Sequence, residues 1–394
     1  MSEKIQAVFY GNPDQYPPII NSAHLLARAG FELEIFCRGD DEEWNVSYPP
    51  TVKIHRLRTN ADKPWLEYAS FIANVLRRTT RDTGVFIGHD MHGLLPARVA
   101  GLRHGRPVVY HCHDFAENGR RLGLGSSVVR TFERCFARGS KLVVVPDADR
   151  ALVVSKELHL RQAPLISANA PLARSAPNGE WLRQVLASQG RSFEAVVFRQ
   201  GRVGNGHALE TTLRSVPFWK NKNWGFVVMG VGEPDYVGSL NEKARALEVE
   251  RQFVVLPPVG YDDVAQYTSG ADLGHALYEP IHVNNAFIAT ASCKIMEYME
   301  AGIPLLVSDT PALKNLVNKF ECGVAADEKS PESIAAAVNL LLGEPEMARR
   351  MGAAARKGFE EEFCYDRQFA PVIDELRRLT TAENHSSGQL AKQT

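Results

Sequence analysis

The chain has 394 residues and a mass of 43.7 kDa, which suits two domains of ordinary size. Its 44% apolar and 23% charged residues exclude a disordered or fibrous protein. The 45 basic and 46 acidic residues leave a net charge of −1, which argues against a nucleic-acid binder.

In chain order, short β-branched runs at 5–10, 32–36, 52–57, 85–88, 108–111 and 142–145 read as strands. Amphipathic patterns at 20–29, 65–78, 95–104 and 128–138 read as helices between them. Strands apolar on both faces and separated by helices predict a parallel sheet covered on both sides. Residues 170–193 bring in prolines and glycines and read as a connector containing one helix. The pattern then restarts, with strands at 195–200, 225–230, 253–256, 273–276 and 304–308. Helices follow at 330–342, capped by Ser330 with Pro331 in the first turn, and at 346–361 and 367–379. The reading is an α/β protein of two doubly wound, Rossmann-like domains facing across a cleft. The boundaries are a first domain over 1–172, a linker over 173–193, a second domain over 194–365, a helix over 366–380 returning towards the first domain, and a mobile tail over 381–394.

No run reaches the roughly 20 apolar residues of a membrane helix, and MSEKIQ lacks a signal-peptide core. Cysteines at 37, 112, 135, 293, 322 and 364 show no CxxC spacing, the usage of a reduced, cytoplasmic protein. The neutral total hides an asymmetry, since residues 51–150 hold 17 Lys+Arg against 9 Asp+Glu. Much of that excess lies around Arg77, Arg78 and Arg81 and from Arg120 to Lys141. The plain reading is a solvated basic face; the sharper one is peripheral contact with the anionic inner face of a membrane, or with an anionic acceptor.

Ligands of open parallel sheets bind at the carboxyl ends of the strands. Polar and glycine residues gather there at Gly11–Asn12, His89–Asp90, His113–Asp114, Gly201–Arg202, Gly230–Gly232, Pro257–Tyr261 and Tyr278–Asn285. The stretch 273–309 reads as strand, loop, helix, tight turn, strand. Its helix starts at Ser292 and stops at Gly302, and its first amides, Ser292 to Lys294, form a phosphate cradle. Glu297, one turn further in, can accept both hydrogen bonds of a vicinal diol such as a ribose.

The run KIMEYMEAGIPLLVSD resembles the donor signature of retaining GT-B glycosyltransferases of the GT4 type, E-x7-E followed by a small-residue turn. VFIGHDMHGLLPARVAGLRHGRPVVYHCHDFAE, VVVPDADRALVV with LISANAP, and VVFRQGR are similar to further family segments in the same order, so the resemblance spans about 5–375. It implies transfer of a sugar from a nucleotide-sugar, most simply a UDP-sugar, to an unidentified hydroxyl acceptor, with no metal and no cofactor. It implies that Glu297 holds the ribose hydroxyls, that Arg202 neutralises the diphosphate, and that His113 lies near the donor sugar. Ser292, Cys293 and Lys294 then offer amides to the phosphates, and Gly11 and Asn12 form the loop approaching phosphate and acceptor. Pro258 to Tyr261, with Gly260, flank the base. The catalytic set is thus His113, Arg202 and Lys294.

Three departures stand out. Ala289 replaces the first glutamate of E-x7-E, leaving Glu279, Asn284 or Asn285 as sugar contacts. The family's phosphate lysine is replaced by Asn205, Gly206 and His207, leaving His207 or Lys294 as the second cation. GNPDQYPP lacks the paired glycines of the family loop. A non-catalytic GT-B partner protein and a GT-B sugar-nucleotide epimerase are the alternatives. HDMH at 89–92 and HCHD at 111–114 contain metal-ligating residue types without a metal-ligand spacing, so no metal site is expected. GRVGNGH and GVGEP lack the dinucleotide fingerprint, and no G-x-S-x-G, P-loop or kinase set is present.

Overall fold

A computed structural model describes residues 3–39, 46–59, 63–115, 124–174 and 179–390. Contacts divide the chain into two units, Met1–Ala168 with Tyr365–Thr394, and Asn169–Cys364.

Unit 1 is built on seven strands, β1 (Glu3–Phe9), β2 (Phe31–Arg38), β3 (Val52–Leu57), β4 (Val85–His89), β5 (Val108–His111), β6 (Leu142–Val145) and β7 (Leu165–Ile166). They lie in the order β3-β2-β1-β4-β5-β6-β7, and every pair is parallel. β4 and β5 are buried along their whole length, as strands covered by helices on both faces must be. The helix expected over 95–104 starts earlier, as Asp90–His104, and carries Pro96 inside it. Proline has no N–H to give the His92 carbonyl one turn back. The Tyr68 hydroxyl donates to that carbonyl instead, at 2.8 Å. A glycine in the left-handed region, Gly105 at φ +68°, ends the helix.

The last helix, Tyr365–Leu390, belongs to unit 1. Tyr365, Phe369, Val372 and Leu376 bury one stripe of it, and Gln368 accepts the Ala168 N–H at 3.1 Å. Helix continues through 381–390, where the sequence suggests a mobile tail; 391–394 lie outside the described residues. Polarity alone does not stop a helix when the preceding turns are anchored.

Unit 2 repeats the winding with β8 (Ala195–Gln200), β9 (Trp224–Met229), β10 (Phe253–Leu256), β11 (Leu273–Ala276), β12 (Leu305–Ser308) and β13 (Gly323–Ala326), in the order β10-β9-β8-β11-β12-β13. Leu213, Trp219, Phe226 and Val338 pack in its core. The helix of the expected connector, Glu180–Ser188, is part of this unit. Leu182 and Leu186 are buried, and Arg183 pairs with Asp272. Residues 175–178 of that connector, and Arg120 and Arg121 of the basic run, lie outside the described residues. Arg77, Arg78 and Arg81 are exposed.

Candidate functional site

In unit 2 the winding reverses between β8 and β11, the position at which doubly wound sheets bind ligands. The loops leaving these two strands are tied together. Gly206 accepts hydrogen bonds from the Glu279 N–H at 3.0 Å and from Asn285 Nδ2 at 3.1 Å. Asn285 Nδ2 also reaches the Glu279 carbonyl at 2.9 Å. Asn285 is therefore a clamp between the loops, with its amide nitrogen used inside the protein. Gly201 adopts φ +95°, a conformation glycine takes without strain. A Cβ on Gly230, at the end of β9, would stand 1.7 Å from the Gly201 carbonyl oxygen.

The key helix is Cys293–Ala301. Ser292 caps it, accepting the Ile295 N–H at 3.4 Å, and its hydroxyl lies 2.7 Å from the Tyr278 hydroxyl. Gly302 at φ +70° ends it. Amides at the first positions, Cys293 and Lys294, have no carbonyl one turn back and carry the positive end of the helix dipole. The Lys294 stem lies over Gly201, where a Cβ would be 3.2 Å from Cε, and its Nζ is 5.5 Å from the Tyr278 ring centre.

Arg199 approaches the same ring at 5.4 Å. It is wholly buried, with one contact to the His275 carbonyl at 3.4 Å, and Nε and Nη2 have no hydrogen-bond partner. Arg202 is exposed on the loop after β8. Among the described residues no acid pairs with Arg199, Arg202 or Lys294 within 4.0 Å. His207 stands edge-on to Tyr278 at 5.5 Å. Burial first, then Arg199 and Lys294, hold its pKa far below the usual histidine value. Burial thus disfavours the charged form of His207, which weakens it against Lys294 as the second cation. Arg199 is a further cation, one that apolar patterning hides because it occupies a core position of a strand.

Glu297 is 5% exposed. It accepts from Gln200 Nε2 at 2.5 Å, and Gln200 Oε1 accepts from the Thr268 hydroxyl at 2.5 Å. Burial raises the Glu297 pKa, with Gln200, Arg174 and Lys294 opposing that rise. Gln200, the last residue of β8, escapes sequence reasoning; its one signal is a polar residue closing an apolar strand. Glu300 on the same helix is paired bidentately by Arg174, whose Nε and Nη2 donate to its two oxygens at 2.8 and 3.1 Å. Burial pushes the Cys293 thiol up. Ala289 is buried, Glu279 is half-buried, and Asn284 is half-buried beside Asn285. Gly260 is the cap and Tyr261 the first residue of the helix Tyr261–Thr268. A groove of about 550 Å³ lies next to this loop, between Gly230, Val237, Asn241, Leu256 and Pro257.

In unit 1 the corresponding reversal lies between β1 and β4. Asn12 caps the short turn Pro13–Gln15, its side chain accepting the Asp14 N–H at 3.1 Å. A Cβ on Gly11 would stand 2.8 Å from the Phe9 ring. His113 is 1% exposed. Its N–H donates to Asp90 Oδ1 at 2.8 Å and its carbonyl accepts from Arg150 at 2.6 Å. Its Nε2 is 3.0 Å from His89 Nδ1. Burial lowers the His89 pKa to about 3 and holds His111 well below the usual value. The predicted residues therefore form two groups, one in each unit.

Two family models match the chain. Residues 194–358 match "Glycosyl transferases group 1", and residues 21–166 match "Glycosyl transferase 4-like domain". A D-inositol 3-phosphate glycosyltransferase of Rhodococcus erythropolis is 25% identical over 401 residues, covering 94% of this chain and 87% of the relative. Among solved structures, sucrose-phosphate synthase from Thermosynechococcus elongatus superposes with a TM-score of 0.76 at 14% identity, over 96% of this chain and 100% of that one. Anabaena Alr3699/HepE, in complex with UDP and glucose, gives 0.73 at 14% identity, over 95% and 100%.

Proposed function

Because this chain is a GT-B glycosyltransferase of the GT4 type, we propose that it transfers a sugar, with retention, from a UDP-sugar to a hydroxyl acceptor. The observation that carries the reading is the charge arrangement of unit 2, where Arg199, Arg202 and Lys294 lack acidic partners among the described residues and stand beside the start of the helix Cys293–Ala301. A buried cation without a counter-charge costs several kcal/mol, and an anionic ligand supplies what is missing. The complex of Alr3699/HepE with UDP and glucose supports a donor of that kind.

In this reading the diphosphate rests on the amides of Cys293 and Lys294, with Arg202 and Lys294 meeting the charge that grows as the glycosidic bond breaks. Glu297, oriented by Gln200, binds the ribose diol. Gly260 and Tyr261 border the base, and Glu279 or Asn284 contacts the donor sugar. His113, Gly11 and Asn12 act on the sugar and acceptor side. The leaving phosphate itself takes the acceptor's proton, so no protein nucleophile and no metal at the diphosphate are required. The phosphorylated acceptor in the Rhodococcus relative's name, and the basic balance of residues 51–150, favour an anionic acceptor. A basic face of this kind also suits peripheral binding to an anionic membrane surface. No described helix is long and apolar enough to cross a membrane.

A thermal-shift panel of sugar nucleotides tests the donor, since a ligand at 100 times its Kd adds about 2.7 kcal/mol of stability. The UDP-sugar that stabilises the parent chain should fail to stabilise Glu297→Ala and Arg202→Ala. Parent-like binding and turnover in both variants would refute the site. Absence of transfer and hydrolysis by the parent chain would favour a non-catalytic partner protein, and an isomerised sugar nucleotide an epimerase.

A further inference from the structure

Strands β4 and β5 pair in parallel with His89 opposite His111. Register partners share a face of the sheet, and side chains two residues apart return to it. His113, two positions beyond His111, therefore joins the other two where the strands end. The rings lie 3.9 Å (His111–His113), 5.3 Å (His89–His113) and 5.4 Å (His89–His111) apart, centre to centre. One ring nitrogen from each can be chosen so that all lie within 4.8 Å of one another. All three side chains are less than 5% exposed, and His111 Nε2 is buried without a hydrogen-bond partner. Beside His89 and His111, between Ser22 and Phe369, lies a cavity of about 10 Å³, room for roughly one water-sized sphere.

We propose that His89, His111 and His113 form a binding site for one transition-metal ion of the zinc class, with a water in the adjoining cavity as fourth ligand. Three imidazoles plus a water make a tetrahedral set, with metal–nitrogen distances of about 2.0–2.1 Å. Nitrogens in that geometry stand roughly 3.4 Å apart. The His89–His113 pair already sits at 3.0 Å, and the His111 nitrogen, within 4.8 Å of the others, closes the set by ring rotation. An all-nitrogen set selects zinc, copper, nickel or cobalt over magnesium and calcium, which take oxygen ligands. The backbone of His113 is held by Asp90, which accepts its main-chain N–H, and by Arg150, which donates to its carbonyl, so the segment carrying the ring is anchored. The ion sits in unit 1 and orients His113. It has no part in meeting the donor diphosphate's charge, so this proposal and the assignment of Arg202, Lys294 and Glu297 stand or fall separately, while His113 is common to both readings.

The test uses the full chain, stripped with a chelator and then dialysed with zinc or cobalt chloride. Elemental analysis should find one metal per chain, and the cobalt form should show the visible absorption of a tetrahedral site. His111→Phe, which keeps a ring of similar size, should lose both signals, while His24→Ala, outside the cluster, should keep them. Less than a fifth of an equivalent retained by the parent chain would overturn the proposal, as would full stoichiometry in His111→Phe. If His111→Phe does not fold, the parent's stoichiometry, its cobalt spectrum and its melting temperature with and without zinc decide the matter. Zinc should raise that temperature, and no rise overturns the site.

Discussion

Gly230→Ala offers a direct test of how the loops after β8 and β9 pack. The added Cβ would stand 1.7 Å from the Gly201 carbonyl oxygen, where real Cβ contacts essentially never fall under 3.0 Å. One backbone must therefore retreat by about 1.3 Å, and neither is a flexible side-chain end. Overpacking of this kind costs about 1–3 kcal/mol, which for a unit of this size lowers Tm by roughly 5 °C. The displaced segment carries Gly201 and Arg202, and a misplacement of about 1 Å at a catalytic group can cost ~100-fold in rate. Gly238→Ala is the control, since nothing lies within 4 Å of its Cβ and it sits inside the helix Pro234–Ala246. That variant should gain about 1 kcal/mol from helix propensity. Thermal unfolding and calorimetric titration with the UDP-sugar read both effects. If Gly230→Ala behaves like Gly238→Ala in stability and affinity, the packing of these two loops is not as described.

Two further outcomes follow from single contacts. Tyr68→Phe removes the hydroxyl that serves the His92 carbonyl and should cost about 1–2 kcal/mol in urea unfolding. In a Pro96→Ala background the helix regains its own N–H donor, so the same substitution should cost markedly less; equal costs would disprove the link. Burial raises the Glu297 pKa above its ordinary value of 4.5, so the folded chain holds that proton longer than the unfolded chain. Stability from this group is then lost as pH rises from about 4.5 through the raised value. Glu297→Gln should remove that slope, with its unfolding free energy gaining on the parent's across the window, and parallel pH profiles would contradict it.

Much of the helix Cys293–Ala301 was legible in the sequence because its signals are local. Ser292 before an amphipathic run and Gly302 after it specify a start and a stop through backbone hydrogen bonding within a few residues. The strands at 52–57, 108–111, 142–145, 195–200, 253–256 and 273–276 match their observed bounds, since apolar runs flanked by turn residues leave little choice. Short strands fared worse: β7 has two residues and β13 is glycine- and alanine-rich. Both exist because a neighbour supplies the pairing. The extension of the helix from Asp90 through Pro96 was hidden for a related reason, since the hydroxyl that makes it tolerable comes from Tyr68 in another helix.

By itself the sequence determined the two parallel arrays, the helix that opens at Ser292 and the acid one turn inside it, because periodicity and capping act over a few residues. Only the tertiary structure decided that Gln200 holds Glu297, that Arg199 is a buried cation without an acidic partner among the described residues, and that burial disfavours the charged form of His207. It also brought His89 and His111 side by side through strand register, a pairing that spacing along one segment cannot express. Hydrogen bonding across strands and the removal of charge from water depend on what is near in space, and distance along the chain does not fix that.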